Sequence, residues 1–191
     1  MKLVLASKSP RRKELLSMFS KDFEVRVSDV DESYDSSLAP CDIARVIATK
    51  KAMAVKALDD FEIIIGCDTI VVSPSGEIMG KPRDEEDAKR MLRALSGTAH
   101  KVISGLCVHS NHKAISTSVT TTVYMRELDE NEIDYYVANH KPTDKAGAYG
   151  IQEMAGAFVK GIDGDFFNVV GLPLCALSEI LKTEFDFPIT Y

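Results

Sequence analysis

An α/β fold built on a mixed β-sheet is predicted by the order of hydrophobic segments along the chain. Segments with strand patterns alternate with segments of helical periodicity, as they do where helices connect the strands of a sheet. Two long β segments, 101–109 and 114–125, also follow one another directly and predict neighbouring strands. Because both kinds of connection occur, we expect a mixed rather than a purely parallel sheet. The length of 191 residues predicts a single domain, 1–191.

The first third of the chain predicts a strand, a helix, a second strand and a long helix. The apolar run 3–6 ends at a polar loop, and Ser9-Pro10 then supplies an N-cap and a proline at the first helical position. Alternating residues at 23–27 predict the second strand. The polar, acidic stretch 29–40 predicts a loop, after which the long helix begins at about Cys41.

The middle of the chain predicts a buried strand, a hairpin and a helix. Residues 63–72 are apolar on both faces of the predicted strand, and the turn at 73–76 leads to a short strand at 77–79. The next helix begins at Asp84 and ends at Ser96-Gly97. Its apolar residues have the spacing of a core-facing stripe: Ala88, Met91, Leu92 and Leu95.

Two further helices are predicted near the end of the chain. Asp129 and Glu132 resemble a capping box, in which the two residues bond each other's backbone N–H groups at the start of a helix. Pro173 is typical of a first helical position and predicts a last helix that continues through Leu181.

Composition and charge argue against several classes of partner. The net charge of −6 and the spread of charged residues argue against a sequence-independent grip on a nucleic acid polymer, so an anionic partner must be small and bound locally. No run approaches the roughly 18 apolar residues of a membrane span, and we expect a cytoplasmic protein. The cysteines lack zinc-ligand spacing and indicate reduced thiols: Cys41, Cys67, Cys107 and Cys175.

Hydroxyl and guanidinium groups are concentrated at the predicted start of the first helix, in residues 7–12. Free backbone N–H groups, the helix dipole and arginine side chains together suit a phosphate group. The alternative is an ordinary capped helix whose arginines are solvated.

Asp68 lies inside the predicted buried strand, where a carboxylate requires a compensating group. An ionised carboxylate without a partner is costly to bury, so Asp68 must meet a cation, a metal ion or a solvent-filled cleft. A purely structural ion pair is the alternative to a functional site.

The long second helix carries two lysines near its apolar stripe. The predicted stripe consists of Ile43, Ile47, Ala54 and Leu58, which places Lys50 near its centre and Lys51 at its edge. Helical periodicity therefore favours Lys50 as the lysine that reaches inward, although lysine stems also lie along apolar surfaces without any function.

A segment of small residues flanked by polar ones occupies 144–152. Glycines at such positions allow a close approach between the backbone and a ligand, whereas a glycine-rich turn between strands is the structural alternative. Gln152 at its end can donate and accept hydrogen bonds at once.

Six segments, taken in order, resemble the Maf-like family of nucleotide pyrophosphatases. They are SKSPRR at 7–12, CDTIV at 67–71, GKP at 80–82, LSG at 95–97, DKAGAYGIQ at 144–152 and NVVGLP at 168–173. Their order and spacing extend the resemblance over residues 3–181. Two departures are small: Cys67 precedes the aspartate, and Ser104 stands where the family usually has threonine.

The resemblance implies both a fold and a reaction. The fold would be similar to that of inosine triphosphate pyrophosphatases, an elongated mixed sheet with flanking helices and two lobes around a deep cleft, assembled as a homodimer. The reaction would be the hydrolysis of a nucleoside triphosphate between its α and β phosphates, which yields a nucleoside monophosphate and pyrophosphate.

The resemblance also implies the site residues. Asp68 would be the base, acting with Lys51, Lys81 and Glu32, and the family pattern thus prefers Lys51 to Lys50. The substrate-binding positions would be Ser7, Arg11, Arg12, Thr69 and Gln152. Glu32 and Asp68 suit a hard divalent cation, Mg²⁺ or Mn²⁺, together with phosphate oxygens and water. Arg12, Lys51 and Lys81 would meet the charge that develops on the pyrophosphate.

Arg11, Thr69 and Gln152 match positions that mark the pyrimidine-specific subfamily, so the resemblance implies dTTP and UTP as substrates. Two alternatives remain open. A nucleotide-binding regulator of cell division would sense triphosphates without hydrolysing them. The presence of Asp68, Glu32, Lys51 and Lys81 argues against this alternative. A sister subfamily hydrolyses 7-methyl-GTP, and Thr69 together with the segment 144–152 disfavours it.

Overall fold

The computed structural model describes residues 1–27 and 29–188, and its strands form one seven-stranded mixed sheet. The strands are β1 (Lys2–Leu5), β2 (Phe23–Val25), β3 (Glu62–Val72), β4 (Ile78–Met79), β5 (Ala99–His109), β6 (Ala114–Met125) and β7 (Val159–Asp163). Their order is β2-β1-β3-β5-β6-β7, with β4 paired to β3. β1 is parallel to β2 and β3, and the other pairs are antiparallel.

In the described part of the chain six helices flank the sheet, and the helix starts follow the sequence signals. The helices are α1 (Pro10–Phe19), α2 (Pro40–Met53), α3 (Glu85–Leu95), α4 (Glu130–His140), α5 (Phe166–Val170) and α6 (Leu174–Phe185), and short 3₁₀ segments lie at 142–144, 146–148 and 154–158. Ser9 caps α1, and Asp129 and Glu132 form the predicted capping box of α4. Within the described residues, no helix is both long and apolar enough to span a bilayer.

The two largest hydrophobic cores among the described residues lie along the sheet, and β3 and β5 contribute to both. The first core packs β1, α1 and α6 against Ile65 and Leu106. The second core packs α3 and α4 against Val71 and Val102. Because β3 and β5 cross from one core to the other, a residue near the centre of β3 lies between the two.

Helix α2 packs directly against the backbone of the sheet. A Cβ added to Gly105 would lie 2.0 Å from the carbonyl oxygen of Ala44, and one added to Gly66 would lie 2.6 Å from that of Ala48. Only small side chains fit at this contact, so the buried face of α2 includes Ala44, Ala48 and Ala52.

The apolar stripe predicted for this helix was therefore only half right. Ile43 and Ile47 are buried, but α2 ends at Met53, Ala54 is exposed, and Leu58 is 75% exposed. The prediction followed the spacing of large apolar residues, whereas alanines make the closest contact. The face that meets the sheet is consequently rotated towards Lys51.

One edge of β3 is open near its centre. Glu62–Ile65 pair with β1 and Val71–Val72 pair with β4 on this edge, while β5 pairs with Ile64–Val72 on the other. In the part of the chain that the structure describes, no strand pairs with residues 66–70 on the open edge. Asp68 lies at the middle of this gap.

Candidate active site

A cleft of about 520 Å³ opens beside the unpaired segment of β3. Its size is that of a small-molecule site. It is lined by the start of α1, one face of α2, the centre of β3, the segment 144–152 and the end of α5. Eight of the nine predicted site residues line this cleft: Arg11, Arg12, Glu32, Lys51, Asp68, Thr69, Lys81 and Gln152.

Asp68 projects towards α2, where it meets a cation. The residue is only 8% exposed, and its Oδ1 lies 2.6 Å from Nζ of Lys51. The same ammonium lies 3.0 Å from Oε2 of Glu32. One lysine therefore bridges both carboxylates and offsets the cost of burying Asp68.

Helical periodicity favours Lys50 as the inward lysine, and this prediction was wrong. Lys51, not Lys50, reaches Asp68. The Nζ of Lys50 donates instead to the carbonyl oxygens of Ser33, at 2.7 Å, and Asp31, at 3.4 Å. These two residues flank Glu32 in the chain. Lys50 thus holds the acidic loop, while the rotated face of α2 directs Lys51 into the cleft.

Arg12 is held by several hydrogen bonds at the floor of the cleft. Its Nε donates to the carbonyl oxygen of Gly171 at 2.8 Å, and its Nη2 donates to Oγ1 of Thr69 at 3.1 Å. Its Nη1 lies 3.4 Å from Oγ of Ser7. Ser7 is the predicted residue outside the cleft lining: it is buried, and its hydroxyl accepts from Arg12 and from the backbone N–H of Ser9.

A buried polar layer supports Thr69. Its hydroxyl lies 2.8 Å from the hydroxyl of Ser104, which donates in turn to the carbonyl oxygen of Asn168 at 3.2 Å. The Asn168 amide donates to the carbonyl oxygen of Val102 and to Oγ1 of Thr121, both at 3.0 Å. Ser104 keeps the hydroxyl group that a threonine would offer, so this departure from the family pattern preserves the contact.

Arg11, Asp144 and Lys145 form a second charged cluster in the lining of the cleft. Nη1 of Arg11 lies 2.7 Å from Oδ2 of Asp144, and Nζ of Lys145 lies 2.7 Å from the other carboxylate oxygen. Burial acts to raise the pKa of Asp144, but hydrogen bonds from Lys145 and Arg11 outweigh it and hold the pKa below its usual value. Glu153 also contacts Lys145, at 3.3 Å.

Sequence reasoning assigned no chemistry to Asp144 or Lys145. Lys145 is nevertheless buried and lines the cleft. The available signal was a pair of opposite charges directly ahead of small residues. It could not be interpreted alone, because the partner Arg11 is 133 positions away in the chain.

The glycines of the segment 144–152 serve packing within the protein. Gly147 has a positive φ of 68°, and a Cβ there would lie 2.9 Å from Cγ2 of Val71. Its N–H donates to the carbonyl oxygen of Gly80 at 3.1 Å, which joins the segment to the residue before Lys81. The side chains of Lys81 and Gln152 are exposed at the cleft.

Tyr149 connects the cleft to a buried histidine. Its hydroxyl lies 2.7 Å from Nε2 of His100, and the two rings are in a T-shaped contact. His100 is 2% exposed, and burial lowers its pKa to about 4. A neutral His100 therefore supports the wall of the cleft through its hydrogen bond to Tyr149.

Glu32 and Asp68 fit a divalent cation that is shared with a ligand. Within the described residues there is no group of three or more His, Cys, Asp or Glu side chains that could hold a metal ion by itself. Mg²⁺ commonly takes one or two carboxylates and completes its shell with phosphate oxygens and water. The two carboxylates already converge on one cation, the Lys51 ammonium.

Comparisons with known proteins agree with this geometry. The family model described as Maf-like protein matches residues 2–184. A dTTP/UTP pyrophosphatase of Bacillus cereus (strain B4264) is 45% identical over 190 residues, which cover 100% of this chain and 98% of the relative. A dTTP/UTP pyrophosphatase of Alkaliphilus metalliredigens (strain QYMF) is 46% identical over 187 residues, or 96% of each chain.

A solved structure shows the same fold at low sequence identity. The structure of a HAM1 protein from Coxiella burnetii has a TM-score of 0.53 and 15% identity, and the match covers 95% of this chain and 98% of that one. This likeness concerns the fold alone. It confirms the α/β class with a mixed sheet and flanking helices that the sequence predicts.

Proposed function

Because the chain belongs to the Maf-like protein family, we propose that it is a nucleoside triphosphate pyrophosphatase that hydrolyses dTTP and UTP. The products are the nucleoside monophosphate and pyrophosphate. Support comes from relatives named dTTP/UTP pyrophosphatase that match the chain over nearly its whole length. The observation that carries the proposal is the pair of carboxylates, Asp68 and Glu32, bridged by Lys51 inside a cleft that also holds Arg12 and Lys81.

The proposed reaction is the attack of water on the α phosphorus. Asp68 accepts the proton of that water as general base, since it is the buried carboxylate at the open edge of β3. Negative charge then moves onto the departing pyrophosphate, where cations stabilise it. Arg12, Lys51 and Lys81 supply these cations, and Arg12 is already fixed by Gly171 and Thr69.

A divalent cation completes the proposed site. Glu32 and Asp68 would hold Mg²⁺ or Mn²⁺, which supplies positive charge to the phosphate oxygens when it is bound. Asp68 keeps its role towards water, and Glu32 is carried by the loop that Lys50 holds.

Arg11, Thr69 and Gln152 are proposed to favour a pyrimidine base. Gln152 lines the cleft and can donate and accept towards one base edge. A site built to hydrogen-bond one edge rejects bases that leave its polar groups without partners. Arg11 is oriented by Asp144, so its guanidinium contacts the first residue of the segment 144–152, which ends at Gln152.

A substrate panel tests the proposal. We expect dTTP and UTP to exceed GTP, 7-methyl-GTP and other purine triphosphates by at least about tenfold in kcat/KM for pyrophosphate release, with Mg²⁺ or Mn²⁺ present. Oxygen-18 from labelled water should enter the monophosphate. The matched variant Asp68→Asn should lose activity by about 10³-fold while it still binds dTTP.

Three results would contradict the assignment. Equal kcat/KM for 7-methyl-GTP would favour the sister activity, and an unchanged ranking of bases in Gln152→Ala would remove the role of that residue. Binding of dTTP without any turnover would favour a nucleotide-binding regulator of cell division.

The homodimer and the cytoplasmic location expected from the sequence remain part of this proposal. The homodimer is supported by the family resemblance alone, and sedimentation velocity of the purified chain tests it. Cell fractionation tests the location.

A further inference from the structure

The position of Lys51 carries an inference that rests on the proposed function and concerns how the same site is regulated. Its Nζ lies 2.6 Å from Asp68 and 3.0 Å from Glu32, the two carboxylates proposed to hold the divalent cation. We infer that Lys51 is an internal competitor of the metal ion. It occupies the carboxylates until a triphosphate enters, so metal and nucleotide bind cooperatively.

Electrostatics requires this competition. A divalent cation and an ammonium group that share the same two carboxylates lie within a few ångströms of each other and repel strongly in a partly buried cleft. The metal therefore binds well only after the ammonium has moved away. The Lys51 side chain is 16% exposed, so its charge is not simply released into bulk water.

The described lining of the cleft offers no unoccupied carboxylate to a displaced Lys51 ammonium. It contains three carboxylates, and two of them, Glu32 and Asp68, are the ones that Lys51 gives up. The third, Asp144, already bonds Arg11 through one oxygen and Lys145 through the other. A bound polyphosphate is thus the anion that can receive the Lys51 ammonium.

Cooperativity follows from linkage. If the triphosphate draws Lys51 from the carboxylates, it raises the affinity for the metal, and the metal must raise the affinity for the triphosphate by the same factor. The described lining of the resting cleft has six cationic side chains against three carboxylates, a formal excess of positive charge. It discriminates against free divalent cations without excluding the metal that arrives with a nucleotide.

Lys50 provides a matched control one position away on α2. It carries the same charge, but its Nζ contacts the backbone carbonyls of Asp31 and Ser33 rather than a carboxylate. Replacing either lysine by methionine removes one positive charge from the same helix. Because Lys50 also holds the loop that carries Glu32, each variant is compared with the wild type, and a gain in Mn²⁺ affinity in Lys51→Met alone reports on the contact with Asp68 and Glu32.

The test measures Mn²⁺ affinity of the full-length protein without nucleotide, by electron paramagnetic resonance of free Mn²⁺. We expect Lys51→Met to bind Mn²⁺ at least about tenfold more tightly than the wild type, because the competing charge is gone. Lys50→Met should not bind more tightly than the wild type. The double variant Lys51→Met with Asp68→Asn should lose the gain.

Unchanged or weaker binding by Lys51→Met would overturn the inference, and so would an equal gain in Lys50→Met. If Lys51→Met fails to fold, Lys51→Gln makes the same comparison with an uncharged hydrogen-bond donor. The measurement needs no turnover, so it is separate from the substrate panel. If the wild type releases pyrophosphate from dTTP while Lys51→Met shows unchanged Mn²⁺ affinity, this inference is rejected and the proposed function stands.

Discussion

At the scale of single residues, His100 couples the wall of the cleft to pH. Its pKa of about 4 in the folded protein is below the unfolded value of 6.5, because burial disfavours the imidazolium. The unfolded chain therefore binds more protons between these values, and the contribution of neutral His100 is complete above about pH 6.5. It is lost as the pH falls towards 4.

The prediction is a pH-dependent difference in stability between the wild type and His100→Gln. The free energy of unfolding of the wild type, minus that of the variant, should decrease by up to about 1.4 kcal/mol per pH unit between pH 6.5 and 4. Urea unfolding across this range measures it, and other titrating groups cancel in the subtraction. A difference that does not change with pH would contradict a neutral, buried His100.

Much of the site was visible in the sequence at this scale. Asp68 was identified because a carboxylate within a strand that is apolar on both faces needs a partner, and the structure supplies Lys51. The cluster of Arg11 and Asp144 was not predicted, because no periodicity relates groups that are 133 positions apart. Long-range ion pairs of this kind depend on topology, which local patterns do not encode.

At the scale of secondary-structure elements, the contact between α2 and the sheet determines where Lys51 points. Gly105→Ala should destabilise the protein by about 3 kcal/mol or more, because the new methyl group would lie 2.0 Å from the Ala44 carbonyl oxygen and backbone has to move. Denaturant unfolding measures this. Gly161→Ala is the control, since a Cβ there meets no atom within 4 Å.

An unfolding midpoint for Gly105→Ala that equals that of Gly161→Ala would show that α2 can shift without cost. We also expect Gly105→Ala to lower pyrophosphatase activity, since a displaced α2 moves Lys51 away from Asp68. Near-normal activity in a folded Gly105→Ala protein would show that the reaction does not depend on the position of α2.

The sequence predicted the longer elements well and the contacts of α2 poorly. The hairpin of β3 and β4, the pair β5 and β6, and the starts of α1, α4 and α6 all carry strong local signals. The strand β7 and the short helix α5 were missed, because Val159–Asp163 is mostly solvent-accessible and Phe166–Val170 is too short to show periodicity. The face of α2 was misassigned because alanines, not large residues, make its closest contact.

At the scale of the whole molecule, the two cores are expected to unfold together. β3 and β5 contribute to both, so neither core can lose its packing without exposing strands of the other. Leu92→Ala in one core and Leu177→Ala in the other should each cost about 2–5 kcal/mol and shift the same single transition. This experiment also tests the expectation of one domain.

Far-UV circular dichroism and near-UV tyrosine signals should report coincident unfolding curves for both variants. Two separate steps, with Leu92→Ala moving only one of them, would instead indicate two independently folding lobes.

The gap in the pairing of β3 also bears on aggregation. A strand edge with free N–H and C=O groups is a template on which another chain can add a strand. Here the open segment, residues 66–70, is short and flanked on the same edge by β1 and β4, so an incoming strand would find only a few positions before it met either one. The backbone around Asp68 is thereby open to a small ligand yet closed to a second polypeptide. The arrangement that admits substrate thus also protects the centre of the sheet from intermolecular β-pairing.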